Sequence, residues 1–277
     1  MPVLYVVATP IGNLEDITLR ALRVLKEVGL IAAEDTRRTR NLLRAYGIKT
    51  PLTSYHEHNK KAKLNYLLNC LREKDLALVS EAGMPGLSDP GYELIATCAQ
   101  QGILVVPIPG PSVVVTALVV SALPTSQFTY LGFLPRKKGE RVRLLQSMAL
   151  EARTIVALES PHRLLTTLGD LAQALGDRRI AISRELTKIH EEVFRGRISE
   201  AIEHFKQPRG EFTLVIEGSG IKEAELTPEV VEGLRHLYYQ GITAKEAVAR
   251  MSLTTGLSRK ELYRAWLKLK SSAARSF

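Results

Sequence analysis

Leu76-Ala77-Leu78-Val79-Ser80-Glu81-Ala82-Gly83-Met84-Pro85-Gly86-Leu87-Ser88-Asp89-Pro90-Gly91 is an apolar strand running straight into a loop of twelve residues with three glycines and two prolines. A short strand that is apolar on both faces belongs in a parallel sheet covered by helices on either side. Gly opens backbone angles closed to other residues and Pro fixes its own, so the loop is a shaped turn rather than a plain connection. In open parallel sheets ligands sit beyond the carboxyl ends of the strands. The stretch predicts an α/β enzyme whose site is assembled from Gly/Pro-rich loops at strand ends.

The same pattern extends outward. Residues 4–9, 30–35, 53–55 and 103–109 are further strand candidates, with helical patterns between them. In residues 18–28, for example, Leu19, Leu22, Leu25 and Val28 recur at helical spacing. After the helix-like residues 112–123 the character changes. Strands are expected at 128–134, 153–159, 179–185, 192–197 and 211–217, with fewer helices between them, which reads as a second α/β domain with a mixed sheet. The first of these runs into a basic loop, Pro135-Arg136-Lys137-Lys138-Gly139-Glu140-Arg141. Beyond 220 no strand pattern is visible. Three helices fit: one from Thr227 with Pro228 at its first position, and two with the capping boxes Thr243-Ala244-Lys245-Glu246 and Ser258-Arg259-Lys260-Glu261. The last carries Leu262, Trp266 and Leu269 on one stripe, with Arg259, Lys260, Arg264, Lys268 and Lys270 largely off it. The expected domains are residues 1–123, 124–220 and a basic helical module over 221–277.

A formal charge of +9 and a pI near 9.6 favour an anionic partner, although a merely soluble basic protein meets the same numbers. No apolar run approaches the roughly 18–20 residues that span a bilayer. The N-terminus enters Val3-Leu4-Tyr5-Val6-Val7 almost at once, so no secretory signal is expected. Cys70 and Cys98 lie in helix-like stretches and predict neither a disulfide framework nor a zinc cluster. The expected compartment is the cytoplasm.

Several strand-end loops hold residues suited to chemistry. Ala8-Thr9-Pro10-Ile11-Gly12-Asn13 allows a tight reversal and close approach by a ligand, yet it is neither a dinucleotide fingerprint nor a P-loop, and a structural turn explains it as well. In Glu34-Asp35-Thr36-Arg37-Arg38-Thr39-Arg40, Asp35 or Thr36 can cap the next helix. Arg37, Arg38, Arg40 and Arg44 suit phosphate, or make a solvated basic face. Pro107-Ile108-Pro109-Gly110-Pro111-Ser112 is a second shaped loop entering a helix. Glu159-Ser160-Pro161-His162-Arg163 places Ser160 as a cap and leaves His162 and Arg163 unexplained. Residues 184–192 pack both signs of charge, open to function or to internal ion pairs, and Arg209-Gly210-Glu211 reads as an ordinary turn. His56-Glu57-His58 lacks the spacing of a zinc protease and no nucleophile elbow is present, so no metal is expected.

In order along residues 3–220, Thr9-Pro10-Ile11-Gly12-Asn13-Leu14, Ala33-Glu34-Asp35-Thr36-Arg37, Ser80-Glu81-Ala82-Gly83-Met84-Pro85 with Ser88-Asp89-Pro90-Gly91, Gly110-Pro111-Ser112, Glu159-Ser160-Pro161-His162-Arg163 and Arg184-Glu185-Leu186-Thr187-Lys188 resemble the ribosomal RNA small subunit methyltransferase I family, part of the tetrapyrrole-methylase-like class of S-adenosylmethionine enzymes. Glu81 stands where that family usually has Asp. The resemblance implies a two-domain tetrapyrrole-methylase-like fold with a parallel-sheet N-terminal domain, a mixed-sheet second domain and the donor between them. It implies a homodimer that methylates the ribose 2′-hydroxyl of a decoding-region cytidine, cytidine-1402 of 16S ribosomal RNA, in the small ribosomal subunit. By analogy with relatives of the fold, Pro10, Ile11, Glu81, Gly83, Met84, Ser112 and Val113 would contact S-adenosyl-L-methionine, with no metal. His162, Lys188 and Glu191 are candidates for the base that takes the hydroxyl proton. Arg37, Arg38, Arg163 and Arg184 are candidates for RNA phosphates, and the C-terminal helices either extend that contact or simply pack. Two other readings compete: a tetrapyrrole methyltransferase acting on a corrin or porphyrin precursor, for which cleft arginines would bind substrate carboxylates, and an RNA-binding protein with a catalytically dead fold.

Overall fold

Each strand pattern of the N-terminal half becomes a strand in a computed structural model describing residues 2–220, 228–255, 257 and 259–273. The elements run β1 (Val3–Val7), α1 (Leu19–Glu27), β2 (Leu30–Ala33), α2 (Thr36–Ala45), β3 (Leu52–Ser54), α3 (Lys60–Cys70), β4 (Leu76–Val79), α4 (Tyr92–Gln100), β5 (Leu104–Ile108) and α5 (Val113–Val120). All five strands are parallel, in the order β3-β2-β4-β1-β5. Pleating sends alternate residues to opposite faces. Ile31, Ala33, Ala77 and Val79 meet α1 and α2 through Ala21, Val24, Leu25, Leu42 and Leu43. Leu30, Ala32, Leu76 and Leu78 meet α3 and α4 through Leu67, Leu68, Leu94 and Cys98. Helices on both faces explain why β2 and β4 are apolar throughout. The helix starts are set locally: the Thr18 hydroxyl accepts from Ala21 N–H at 3.1 Å, a cap contributing about 1 kcal/mol.

The second half continues with β6 (Phe128–Phe133), α6 (Lys138–Ser147), β7 (Thr154–Glu159), α7 (Leu164–Leu175), β8 (Arg179–Arg184), β9 (Glu192–Arg197), α8 (Ile198–His204) and β10 (Phe212–Ile216). Its sheet is mixed, in the order β6-β7-β10-β8-β9, with only β6 and β7 parallel. One face, carrying Ile155, Ala157, Ile180, Ile182, Leu214 and Ile216, packs on α6, α7 and α8. The other face presents Val156, Ala181 and Val215 to Ile11 and to Val114, Ala117 and Leu118 of α5. A helix that reads Val-Val-Val-Thr-Ala-Leu-Val-Val is thereby explained: it belongs to the first half and fills the core of the second.

The halves also meet backbone to side chain. A Cβ on Gly12 would fall 2.5 Å from Lys188 Cγ, 2.8 Å from Thr187 Oγ1 and 2.9 Å from the Leu186 carbonyl oxygen, so only glycine fits this first loop against residues 186–188. Both sheets lie in one compact unit, Met1–Gly218; Ser219–Phe277 form another. That second unit comprises α9 (Pro228–Tyr239), α10 (Ala244–Thr255) and α11 (Arg259–Ala273) around Leu234, Val248, Leu262, Trp266 and Leu269. Arg259, Lys260, Arg264 and Lys268 are exposed. Of the capping box at Thr243, the Glu246 N–H reaches the Thr243 hydroxyl at 3.4 Å, while the Glu246 carboxylate pairs with Arg250. Thr227, Ser258 and the side chains of Glu261 and Lys270 lie outside the described residues. No helix among the described residues is long and apolar enough to cross a membrane.

Candidate functional site

The carboxyl-end loops of the first sheet are joined before they can form a wall. The Thr9 and Gly83 N–H groups donate to each other's carbonyl, which clasps the loop after β1 to the loop after β4. Gly83 has φ +78°, a left-handed conformation that a Cβ disfavours. The Ser80 hydroxyl donates to the Gly83 carbonyl at 3.3 Å and steadies the same turn. From the other half, the Ser88 and Tyr130 hydroxyls share a hydrogen bond at 2.8 Å, tying the β4 loop to β6.

Between these elements lies a cavity of about 480 Å³, within the roughly 300–1,000 Å³ of small-molecule sites. Ile11, Glu81, Gly83, Met84, Ser112 and Val113 all line it, so six of the seven residues expected to touch the donor share one wall. Pro10 precedes Ile11 but does not line the cavity. Opposite them stand Tyr130, Phe133, Leu158, Glu159, Ser160, Pro161 and Glu211 of the second half. Among the described residues the wall has five carboxylates, from Glu34, Glu81, Asp89, Glu159 and Glu211, and no basic side chain. The cleft arginines that the competing tetrapyrrole reading calls for are not among the wall residues; Arg37, Arg38, Arg163 and Arg184 lie outside the wall.

The carboxylates differ in what holds them. Glu159 is fully buried and satisfied, accepting from Thr167 Oγ1 at 2.6 Å, Ser160 N–H at 2.8 Å and Arg163 Nη2 at 3.0 Å. Glu34 accepts from the Glu81 N–H at 3.1 Å, and Glu81 pairs with Arg38. Burial pushes the Glu81 carboxyl up; Arg38 opposes this and Glu34 adds to it. Burial, with Glu34 and Glu81 nearby, pushes Asp89 up to about 7 against the pull of the Ser80 hydroxyl. Two backbone donors, Arg38 first and then Arg37, hold Asp35 down as it caps α2.

None of the three candidate bases lines the cavity. His162 is exposed, one residue past Pro161. Lys188 bridges Glu185 at 2.9 Å and Glu211 at 3.0 Å. Burial pulls its ammonium down, but the hydrogen bonds to Glu185 and Glu211 outweigh it, so the proton is held more tightly than usual. Glu191 is exposed and accepts from the Thr187 N–H. Glu185 and Thr187 both sit at positive φ in this turn, and Glu185 crowds Gly210, whose own φ is +88°. Residues 209–211 are thus a fitted part of the site edge, beyond the ordinary turn expected.

Of the four candidate phosphate ligands, Arg37 is exposed with no salt bridge among the described residues, and Arg38 is exposed beside Glu81. Arg163 donates to the Leu134 and Pro135 carbonyls as well as Glu159, and Arg184 to the Arg209 carbonyl and Glu192. Ser160 takes the cap position before Pro161, but its hydroxyl makes no cap hydrogen bond to the helix; Glu159 holds it instead at 3.4 Å. Glu34, Asp89, Tyr130, Phe133 and Glu211 are wall residues that the sequence reading did not select. Asp89 stood in the quoted Ser88-Asp89-Pro90-Gly91, and its place in a shaped loop was the available signal.

Residues 3–202 match the family model described as Tetrapyrrole (Corrin/Porphyrin) Methylases. The chain is 55% identical over 218 residues to the Ribosomal RNA small subunit methyltransferase I of Thermotoga maritima, covering 78% of this chain and 98% of that one. It is 47% identical over 270 residues to the protein of the same name from Halalkalibacterium halodurans, covering 94% of this chain and 93% of that one. Among solved structures, uroporphyrin-III-C-methyltransferase from Thermus thermophilus shares the fold, with a TM-score of 0.56 at 22% identity over 78% of this chain and 94% of that one.

Proposed function

We propose, from the premise that the chain belongs to the tetrapyrrole (corrin/porphyrin) methylase family and within it to the ribosomal RNA small subunit methyltransferase I group, that it transfers a methyl group from S-adenosylmethionine to small-subunit ribosomal RNA. The acceptor in this reading is the ribose 2′-hydroxyl of cytidine-1402 of 16S ribosomal RNA, reached in the small subunit. The observation that carries it is the convergence of the β1, β4 and β5 loops on one carboxylate-walled cavity with exposed arginines outside.

The residues fit the donor. Bare backbone at Gly83 permits close approach, Ile11, Met84, Val113 and Leu158 offer an apolar surface, and Glu34, Glu81 and Asp89 suit a cation. When bound, the donor supplies an electrophilic methyl group. The chain's work is alignment, exclusion of water and movement of one proton. In this reading Asp89, a wall residue whose carboxyl burial raises to about 7, accepts that proton. His162, next to Pro161 and exposed, is the alternative that a large substrate would meet. Lys188, held as a cation, steadies Glu211, and Glu191 holds the Thr187 turn. Arg37 and Arg38 suit RNA phosphates; Arg163 and Arg184 support the loops from within. A polycarboxylated tetrapyrrole would meet five carboxylates and no cation in this wall, which favours RNA as acceptor.

The reading also includes the cytoplasm as its compartment and a homodimer as its form. Val115 and Val119 on α5 and Leu104 on the edge strand β5 are exposed apolar groups suited to a second copy. The test is methyl incorporation into small subunits lacking the modification, with the methylated nucleotide and atom mapped. Methyl transfer to a porphyrin precursor and none to RNA would sink the proposal. An absence of calorimetric heat with S-adenosylmethionine would favour an inactive RNA-binding fold.

A further inference from the structure

β6 breaks the alternation of a regular strand. Tyr130 pairs with Val156 and Phe133 with Leu158, so three steps on β6 match two on β7. The extra residue is a bulge at Leu131 and Gly132, and Gly132 has φ +66°. Leu131 packs on the helix-covered core, whereas Tyr130 and Phe133 both line the cavity. An odd spacing would put those two side chains on opposite faces of an unbroken pleat. Bulges are frequent beside sites because they re-aim a side chain, and this one aims Phe133 at the cavity mouth. Phe133 is 61% exposed, so packing within the chain does not account for the distortion.

The strand leads directly into the basic loop, where Arg136 and Lys138 are exposed. Two inner guanidiniums set that loop: Arg141 Nη1 donates to the Pro135 and Arg136 carbonyls at 3.2 and 3.3 Å, and Arg163 Nη2 to the Leu134 carbonyl at 2.8 Å. An aromatic face with cations beside it is how single-stranded nucleic acids are held, bases stacking on the ring while phosphates follow the charge. We propose that Phe133 is the stacking platform for an unpaired nucleobase presented at the cavity, with Arg136 and Lys138 taking the adjoining phosphates. This assignment rests on the RNA reading above and adds a base subsite to it. A ring this exposed suits an incoming base better than the adenine of a donor enclosed deeper in the cavity.

The test measures affinity for a single-stranded oligoribonucleotide, at several salt concentrations, in the wild type and in F133A, F133L and F133W, with S-adenosylmethionine affinity measured alongside. F133A and F133L are expected to lose about ten- to hundred-fold in RNA affinity, the range of one lost base–aromatic stack, while F133W retains it. Donor affinity and the salt slope should not change in these variants, whereas R136A/K138A should flatten the salt slope. RNA affinity unchanged in F133A, or retained by F133L, overturns the platform while leaving the RNA reading intact. Weakened donor binding with unchanged RNA affinity overturns it too, by giving the ring to the donor. A wild type that binds no RNA removes both.

Discussion

Thr9 and Gly83 face each other as an isolated antiparallel pair, the Thr9 N–H donating at 2.9 Å and the Gly83 N–H at 3.0 Å. Two loops far apart in the sequence, following the neighbouring strands β1 and β4, are thereby fixed at one spacing. A Cβ on Gly83 would make only ordinary contacts, at 3.6 Å to Ile11 and 3.7 Å to the Pro111 carbonyl, so the left-handed φ is the whole cost of a side chain here. Gly83→Ala is expected to lower stability by about 1–2 kcal/mol and to weaken donor binding. Denaturant midpoints and calorimetry with S-adenosylmethionine check both.

Asp89 should give two pH dependences of opposite sign. Its carboxyl is raised to about 7 in the folded protein, so the native state binds this proton more tightly than the unfolded chain does. The associated stability is fully present below the unfolded value of about 4 and is lost as pH rises through 7. The advantage of Asp89→Asn over wild type in thermal melts should therefore grow between about pH 4 and 7. Donor affinity should rise over the upper part of that range in the wild type, because the ionised carboxylate attracts a sulfonium, and stay flat in Asp89→Asn. A wild-type affinity independent of pH would argue against this role.

Glu81 is the carboxylate on which the cavity and the exposed Arg38 meet. Glu81→Gln keeps the shape and removes the charge, and should weaken S-adenosylmethionine by about ten- to hundred-fold, the range for a hydrogen bond to a charged group. Isothermal titration checks this. An unchanged affinity would place the donor's charge elsewhere.

Arg141 and Asp170 form a buried pair, with side chains 4% and 7% exposed. Asp170→Ala strands the guanidinium and should cost about 3–5 kcal/mol. The double variant R141M/D170L should be milder, since it leaves no buried charge. Chemical denaturation of the two variants side by side decides the point.

Apolar runs such as Leu30–Ala33 and Leu76–Val79 made the strands legible, because burial on both faces leaves little choice of residue. The loops were legible through Gly and Pro, and six donor candidates share a wall because their loops follow parallel strands of one sheet. What escaped depends on solvent access. Arg163 read as a cation available to a partner, yet its side chain is mostly buried and its Nη2 is engaged by Glu159 and the Leu134 and Pro135 carbonyls, and Arg141, quoted in the basic loop, is buried against Asp170. The near-neutral Asp89 needs burial first, and then Glu34 brought beside it from the loop after β2. Phe133 reaches the cavity only through the bulge, and a strand read at period two sends it the wrong way.

The seat of Gly12 against residues 186–188 bears on traffic. With the first loop seated there and α5 sunk into the neighbouring core, any swing of the two sheets would have to break both contacts. Passage beside the exposed rim residues Leu87 and Phe133 leaves both contacts intact, so exchange rates are expected to follow local rearrangement of those side chains.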